Sequence, residues 1–275
     1  MADDIILTPS ARNTLVAIQR VNTLINRTSL RISSGQKATA LENPGAFFDA
    51  SALTSRAAGF LRIKDNVNIA ASTLQAAVDT IASIDSLLDS AKSLAQQAKS
   101  ESDANAALLA IQFDVIRGQI DDLVTDSSFN SVNLLKSSPD TLTVTFNENG
   151  SSELVVAGIA SDITTLAVLS GVTNYNNFVA DSDSDNAITA IDAAIVTLRQ
   201  TSLSLGTKDT IIDARVTFTD GLIASLEGGA AKLINTDLET EAANLLALQT
   251  QRSLAISTLS LLDSTATGSS LLALL

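Results

Sequence analysis

Residues 60–98 read FLRIKDNVNIAASTLQAAVDTIASIDSLLDSAKSLAQQA, and the spacing of their aliphatic side chains decides the fold. Phe60, Ile63, Val67, Ala70, Leu74, Ala77, Ile81, Ile84, Leu88, Ala91, Ala95 and Ala98 recur at alternating steps of three and four, with no Gly or Pro between them. Such a heptad stripe predicts a single helix of roughly 60 Å at 1.5 Å per residue. A helix of that length needs long antiparallel neighbours to cover its stripe.

The chain supplies them. After a polar turn around residues 100–105 the stripe resumes at Ala106, Leu109, Phe113, Ile116, Ile120 and Leu123 and ends before Ser127 and Ser128. A third run goes from Ile188 through Ile191, Ile195, Leu198, Leu205, Ile212, Val216, Ile223, Leu226 and Ala230 to Leu233, with Ser202, Asp209 and Thr219 as polar exceptions. Gly206, Gly221, Gly228 and Gly229 weaken this last helix, each by up to about 1 kcal/mol relative to Ala. Between these helices, residues 141–146 alternate as Thr-Leu-Thr-Val-Thr-Phe, the turn-prone Asn147-Glu-Asn-Gly150 follows, and Leu154-Val-Val156 favours a second strand. These runs predict a small β-hairpin inside an otherwise helical rod.

Both ends are helical by pattern. Pro9-Ser10 opens a stripe at Ala11, Leu15, Ile18, Asn22, Ile25, Ser29 and Ile32, and Gly35 and Asn43-Pro44-Gly45 break it, which predicts an irregular connector between about residues 34 and 52. From about Leu238 to Leu262 aliphatic side chains occupy almost every helical face. A helix apolar all round has to be buried on several sides, and the single N-terminal helix can cover only one. Further copies of the same chain are the expected cover. The fold class is therefore mainly α: a long antiparallel coiled-coil-like helical rod with a small β-hairpin region and paired N- and C-terminal helices.

Composition excludes most other functions. Among 275 residues there is no Cys and no His, which removes zinc sites, disulfide frameworks, Ser-His-Asp triads and Glu-x-x-His di-iron sites. Thirty acids against seventeen bases leave a net charge of −13, which argues against nucleic acid as a partner. Residues 1–64 nevertheless carry eight bases and four acids, so the excess of acid lies entirely beyond them. The sequence shows no membrane span, and Met-Ala-Asp-Asp has the wrong charge for a cleaved secretory signal. Pairs such as Asp121 with Asp122 and Glu239 with Glu241 read as solvated helix faces rather than acid/base pairs, and Ser151, Ser152 and Ser161 read as exposed hydroxyls, on which the sequence does not decide glycosylation. Asp181, Asp183, Asp185 and Asp192 have nearly the spacing of an EF-hand calcium loop, but Asn186 stands where Gly is needed. The favoured reading is an acidic turn capping a helix that starts near Ala187, with no metal and no cofactor.

Five short motifs carry a resemblance. Ser29-Leu-Arg-Ile-Ser-Ser-Gly35, Glu42-Asn-Pro-Gly-Ala46, Leu94-Ala-Gln-Gln-Ala98, Phe129-Asn130 and Asp237-Leu-Glu-Thr-Glu241, in this order, resemble the R-L-S-S-G signature, acidic connector, L-A-x-Q-A, F-N-G and D-x-x-x-E elements of bacterial flagellin. The resemblance spans residues 10–135 and 187–275. It implies a terminal helical core domain from residues 1–45 and 235–275, and a rod domain at 46–234 with its small β region at about 137–180. It also implies a non-enzymatic structural subunit, assembled with itself into the extracellular flagellar filament used for swimming motility. The implied partners are the flagellar type III export apparatus with an export chaperone, and the filament cap and hook-junction proteins, with no nucleic acid and no membrane. A hook-filament junction protein of the same superfamily is the alternative.

For packing of the polymer core the residues of choice are Leu15, Ile18, Ile25, Leu245, Leu248, Leu259 and Leu262. For contacts between rods they are Arg31, Gly35, Asn43 and Arg117. The bases Arg12, Arg20, Arg27, Arg31 and Lys37 are expected to pair with acids of neighbouring subunits or to line the assembled core. Ser131 departs from the family's Gly, and the segment Asp89-Ser-Ala-Lys-Ser93 has a single base where receptor-detected relatives are Arg-rich, so weak or absent innate recognition is expected.

Overall fold

The computed structural model describes residues 9–37 and 39–272, with side-chain surroundings as far as residue 261. Its elements are α1 (Pro9–Ser34), α2 (Pro44–Ala98), α3 (Asp103–Asp126), the strands β1 (Thr141–Thr145) and β2 (Glu153–Ala157), a 3-10 turn at Asn176–Phe178, α4 (Asp181–Ile234) and α5 (Leu238–Leu272). They divide into two compact units, one from residues 56–225 and one from residues 1–55 with 226–275.

In the unit of residues 56–225, the heptad stripe is the core. Eleven of its twelve positions in α2 are buried, and Ile63 is half-buried. From α3 the core takes Ala106, Leu109, Phe113 and Ile120, and it takes Val124 where the periodicity pointed to the neighbouring Leu123. Ala187, Ile191, Leu198, Leu205 and Ile212 of α4 complete it. Each fully buried Leu or Ile stabilises the bundle by roughly 2 kcal/mol. The polar exception Thr219 is buried too, and its hydroxyl is satisfied by donating to the Arg215 carbonyl at 2.8 Å. Asp209 is half-buried; burial, and then the charge of Asp213, push its carboxyl above the usual range.

The hairpin pairs antiparallel with Val144 opposite Leu154 and Thr143 opposite Val155, and turns Val144 and Val156 inward. Irregular backbone on either side is pinned by two polar side chains. The Asn133 amide donates to the Val124 and Thr125 carbonyls at the end of α3, while its oxygen accepts the Leu135 and Lys136 amides and the Ser127 hydroxyl. Asp114 accepts the Ser170 hydroxyl at 2.6 Å and the Gly171 amide at 2.8 Å. Beside it Phe113 meets Phe178 edge-on at 5.3 Å and Tyr175 at 6.3 Å. Gly171 suits this close approach, because a Cβ would sit 3.1 Å from the Ala110 carbonyl and 3.2 Å from both Phe rings, and those neighbours would have to give way.

Two helix starts differ from expectation. The connector is only residues 35–43, since Asn43 caps α2 by accepting the Ala46 amide at 3.2 Å and Pro44 takes the first helical position. Asn followed by Pro is a start signal in this setting, because Pro has no amide to leave unpaired there and its φ is already helical. Likewise α4 begins at Asp181 rather than near Ala187. The four Gly residues of α4 leave it as one continuous helix, since the packing of its stripe outweighs their weak propensity.

Candidate functional site

In the other unit α1 and α5 lie antiparallel, and their near ends are tied by the connector. Gln36 and Asn235 form an isolated antiparallel bridge, with Lys37 donating its amide to the Ile234 carbonyl at 2.7 Å and Thr236 to the Gly35 carbonyl at 2.9 Å. Gly35 adopts φ +69°, which is why the chain can leave α1 and turn directly into this bridge. Arg31 then links three elements: its guanidinium meets Glu42 of the connector and Glu241 of α5, each at 3.3 Å, and Arg27 meets Glu42 as well. Burial raises the Glu42 pKa, but hydrogen bonds and charge from Arg27 and Arg31 outweigh it and hold the carboxyl below the usual range. Asp237 starts α5 by accepting the Thr240 amide and hydroxyl and the Glu239 amide, and these donors depress its pKa. A cavity of about 410 Å³ opens at this junction, lined by Arg31, Lys37, Asn43, Thr236, Asp237 and Glu241. Its charges are consumed in ion pairs and caps, which makes it a structural clasp.

The residues expected for the polymer core divide. Ile18, Ile25, Leu245, Leu248 and Leu259 are half-buried, on the facing sides of α1 and α5. Leu15 is 38% exposed, because the inward stripe of α1 runs through Thr14 and Thr28 instead of Leu15 and Ser29. The side chain of Leu262 lies outside the described residues. On α5, at about 100° per residue, Leu246, Leu254 and Leu261 lie opposite the face that meets α1, and all three are exposed.

The residues expected to bridge rods have partners within their own chain. Arg31 is engaged as above, Asn43 caps α2, and Arg117 donates to the Val168 carbonyl at 2.9 Å and pairs with Asp114. Arg27 and Lys37 are also satisfied internally, the latter by the Lys232 carbonyl. Glu241 is a buried partner of Arg31 rather than a solvated carboxylate, and Ser161 is buried with its hydroxyl on the Ile159 carbonyl, so it is no exposed hydroxyl. Asp181, Asp183, Asp185 and Asp192 lie in the first turns of α4, where a helical backbone cannot wrap a cation; Asp185 pairs with Lys99 and Asp192 with Lys92. The calcium-loop alternative is corrected by that helix. Among the described residues no group of three or more His, Cys, Asp or Glu side chains could hold a metal, and no helix is long and apolar enough to cross a membrane.

Residues 8–140 match the family model of the bacterial flagellin N-terminal helical region. Over 260 residues the chain is 31% identical to flagellin FljO of Caulobacter vibrioides, covering 92% of this chain and 93% of that one. The chain belongs to the bacterial flagellin family. Flagellin FljK of the same organism is 31% identical over 90% of this chain, and a flagellin of Brucella melitensis is 24% identical over 94% of it. The crystal structure of Bacillus cereus flagellin superimposes with a TM-score of 0.50 at 18% identity over 56% of this chain and 88% of that one, which shows a shared fold.

For this family member, periodicity located the helices, but it missed the clasp. Its signals were present: Asn43-Pro44 as a helix start, and Asp237 three residues before Thr240 as another. The role of Glu42 and Glu241 as joint partners of Arg31 had no local signal, because residues 31 and 241 meet only when the chain ends pair.

Proposed function

We propose that the chain is a structural, non-enzymatic subunit that self-assembles into the bacterial flagellar filament, and that its place of work is that extracellular filament, where it serves swimming motility. The observation that carries this reading is the α1–α5 pair. One face of α5 is covered within the chain, whereas Leu246, Leu254 and Leu261 on the opposite face are left to solvent. An apolar face of this extent beside a polar surface marks a protein–protein contact. The near-full-length likeness to flagellins makes other copies the natural cover.

On this reading residues 1–45 with 235–275 form the terminal core of the polymer and residues 46–234 the rod. Leu15, Ile18, Ile25, Leu245, Leu248, Leu259 and Leu262 contribute to core packing, partly within the chain and partly between copies. Arg31, Gly35 and Asn43 act on assembly by setting the angle at which the terminal pair leaves the connector, and Arg117 by holding the loop at Val168. Export through the flagellar type III apparatus with a chaperone, and contacts with cap and hook-junction proteins, belong to the same proposal. A head-to-tail contact that does not close propagates as an open helix.

Electron microscopy of purified chain seeded with filament fragments tests it. The full chain is expected to extend the seeds, and chains lacking residues 1–40 or 240–275 are expected not to. Extension by either truncated chain would sink the assignment of the terminal pair to the core.

A further inference from the structure

The tip of the hairpin holds a group of polar side chains that the filament reading does not use. Asn149 and Gly150 are both exposed there, and Asn149 is the one Asn in the sequence that Gly follows. Gly in that position leaves its backbone nitrogen open to the preceding side chain, since no Cβ shields it. The tip also has a defined set of hydrogen bonds. Asn147 accepts the Ser152 amide on its side-chain oxygen at 3.1 Å and donates Nδ2 to the Ser151 hydroxyl at 2.7 Å. Ser151 in turn donates its hydroxyl to Asn149 Oδ1 at 2.9 Å and its amide to the same oxygen at 3.2 Å.

Two donors on one amide oxygen have a chemical consequence. They polarise the Asn149 Cγ–Oδ1 bond, and they stand where negative charge gathers when a nucleophile adds to Cγ. A hydroxyl that accepts a hydrogen bond donates more strongly, so the Asn147 contact adds to the effect. The nucleophile is the next backbone nitrogen. A side-chain oxygen bonded to the amide two residues on folds Asn149 over the Gly150 peptide, as in an Asx turn. The Gly150 nitrogen is barely engaged, because its hydrogen bond to the Asn147 carbonyl is 3.4 Å long. Helical asparagines differ: after Asn105 the Ala106 amide is held by the Ser102 carbonyl at 2.8 Å.

We propose that residues 147–151 form a self-modifying site, at which Asn149 is converted to aspartate and isoaspartate with Ser151 assisting. The Gly150 nitrogen gives its proton to solvent hydroxide and attacks Asn149 Cγ. As the N–Cγ bond forms, charge collects on Oδ1 under the two Ser151 donors; the Cγ–Nδ2 bond then breaks. Nδ2 leaves as ammonia with a proton from water, which returns the hydroxide. Water opens the five-membered imide at either carbonyl, giving aspartate or isoaspartate. One water is consumed and one ammonia released, with no change of oxidation state. Because both reacting groups belong to adjacent residues, no second reactant has to be brought to the site. The product adds a negative charge to a chain already at −13, next to Glu148, whose carboxylate meets Arg56 at 3.8 Å. Isoaspartate also lengthens the backbone of the turn by one atom. The site is independent of the filament reading.

The test keeps the purified full chain in mildly alkaline buffer and follows the peptide holding residues 147–151 by mass spectrometry, with isoaspartate scored by a carboxyl methyltransferase. Asn149 is expected to react about tenfold faster than Asn130, the exposed asparagine before Ser131. The folded chain is expected to react at least as fast as the same chain in concentrated urea, which removes the Ser151 donors and leaves the sequence unchanged. Ser151→Ala is expected to slow the folded chain roughly threefold and to leave the rate in urea as it was, while Ser151→Thr, which keeps the hydroxyl, should match the parent. If Asn149 reacts no faster than Asn130, or if the folded chain is slower than the chain in urea, the proposal is wrong. A folded Ser151→Ala chain that reacts like the parent overturns it as well. Should Ser151→Ala lose its fold, the comparison of the parent folded and in urea decides by itself. All rates are read on unassembled chain, so failure to extend filament seeds would count against the filament reading alone.

Discussion

Lys99 donates to Asp185 at 2.7 Å, and seven residues earlier in α2 Lys92 meets Asp192, seven residues later in α4. Twenty-eight residues further back along α2, Lys64 meets Asp220 at 2.6 Å, twenty-eight further on in α4. One antiparallel register therefore runs unbroken through the unit of residues 56–225, and the ion pairs flank the heptad stripe at every point where they occur. Surface pairs of this kind add little to stability but oppose a slip of one helix along the other. Reversing Lys92 alone, Lys92→Asp, should lower the urea midpoint at low salt, and adding Asp192→Lys should restore more than half of the loss. A double variant no better than the single one would show that the pair is incidental. The hydrogen bond to Asp185 raises the Lys99 pKa against a smaller effect of burial. Its contribution is therefore complete below pH 10.5 and disappears only as pH climbs through the raised value, so this register is insensitive to neutral pH.

Acid should open the clasp instead. Burial raises the Glu42 pKa, Arg27 and Arg31 lower it further, and the net is a depressed carboxyl. A group depressed in the folded state stabilises fully above its unfolded value, here 4.5, and that stability is lost as pH falls through the folded value. Protection of the Lys37 and Thr236 amides, the two donors of the connector bridge, relative to their intrinsic exchange rates is expected to fall below pH 4.5 before that of the α2 amides does. Glu42→Gln should show faster exchange at neutral pH and lose the acid step. An unchanged step in that variant would assign it to another carboxylate.

Arg31 should matter more than Arg27. Arg31 is less exposed than Arg27 and serves both Glu42 and Glu241, and removing it takes the ion-pair partner away from the buried Glu241 carboxylate. Arg31→Ala is expected to lower the urea midpoint of the terminal pair clearly, and Arg27→Ala to lower it slightly. The reverse order would refute the clasp.

Asn130 and Ser131 both adopt positive φ, +48° and +66°, between the mutual backbone hydrogen bonds of Phe129 and Val132. This is the two-residue turn in which the second position favours Gly. Ser131→Gly should stabilise the chain by about 0.5–1 kcal/mol in chemical unfolding, because the left-handed backbone strains a side chain. A destabilised variant would mean that the turn is not strained.

Asn133 is 4% exposed and satisfies the end of α3 and the start of the next loop together. Asn133→Ala should cost about 2–4 kcal/mol by leaving several buried backbone groups without partners. Asn133→Asp should recover only the part that its oxygen accepts, since a carboxylate cannot donate to the Val124 and Thr125 carbonyls.

What the sequence determined by itself is the set of interactions that repeat along the chain. The steps of three and four in α2, α3 and α4, the alternation of residues 141–146, and the all-round apolar character of residues 238–262 each state a local periodicity, and a helix or strand expresses a periodicity directly. Its errors were also local: Asn43-Pro44 and Asp181 read as breaks although a capping residue and an N1 proline begin helices, and Leu15 stood for a stripe that an α-helix of 3.6 residues per turn carries through Thr14 and Thr28. The tertiary structure alone decided which charges meet. Arg31 with Glu241, Lys64 with Asp220 and Arg117 with the Val168 carbonyl join residues far apart in number, and a side chain's partner there depends on how whole helices lie against each other. The same holds for the apolar faces: periodicity shows that a side chain is on a stripe, but only the packed helices show which stripes are already covered and which, on α3, α4 and α5, stay exposed.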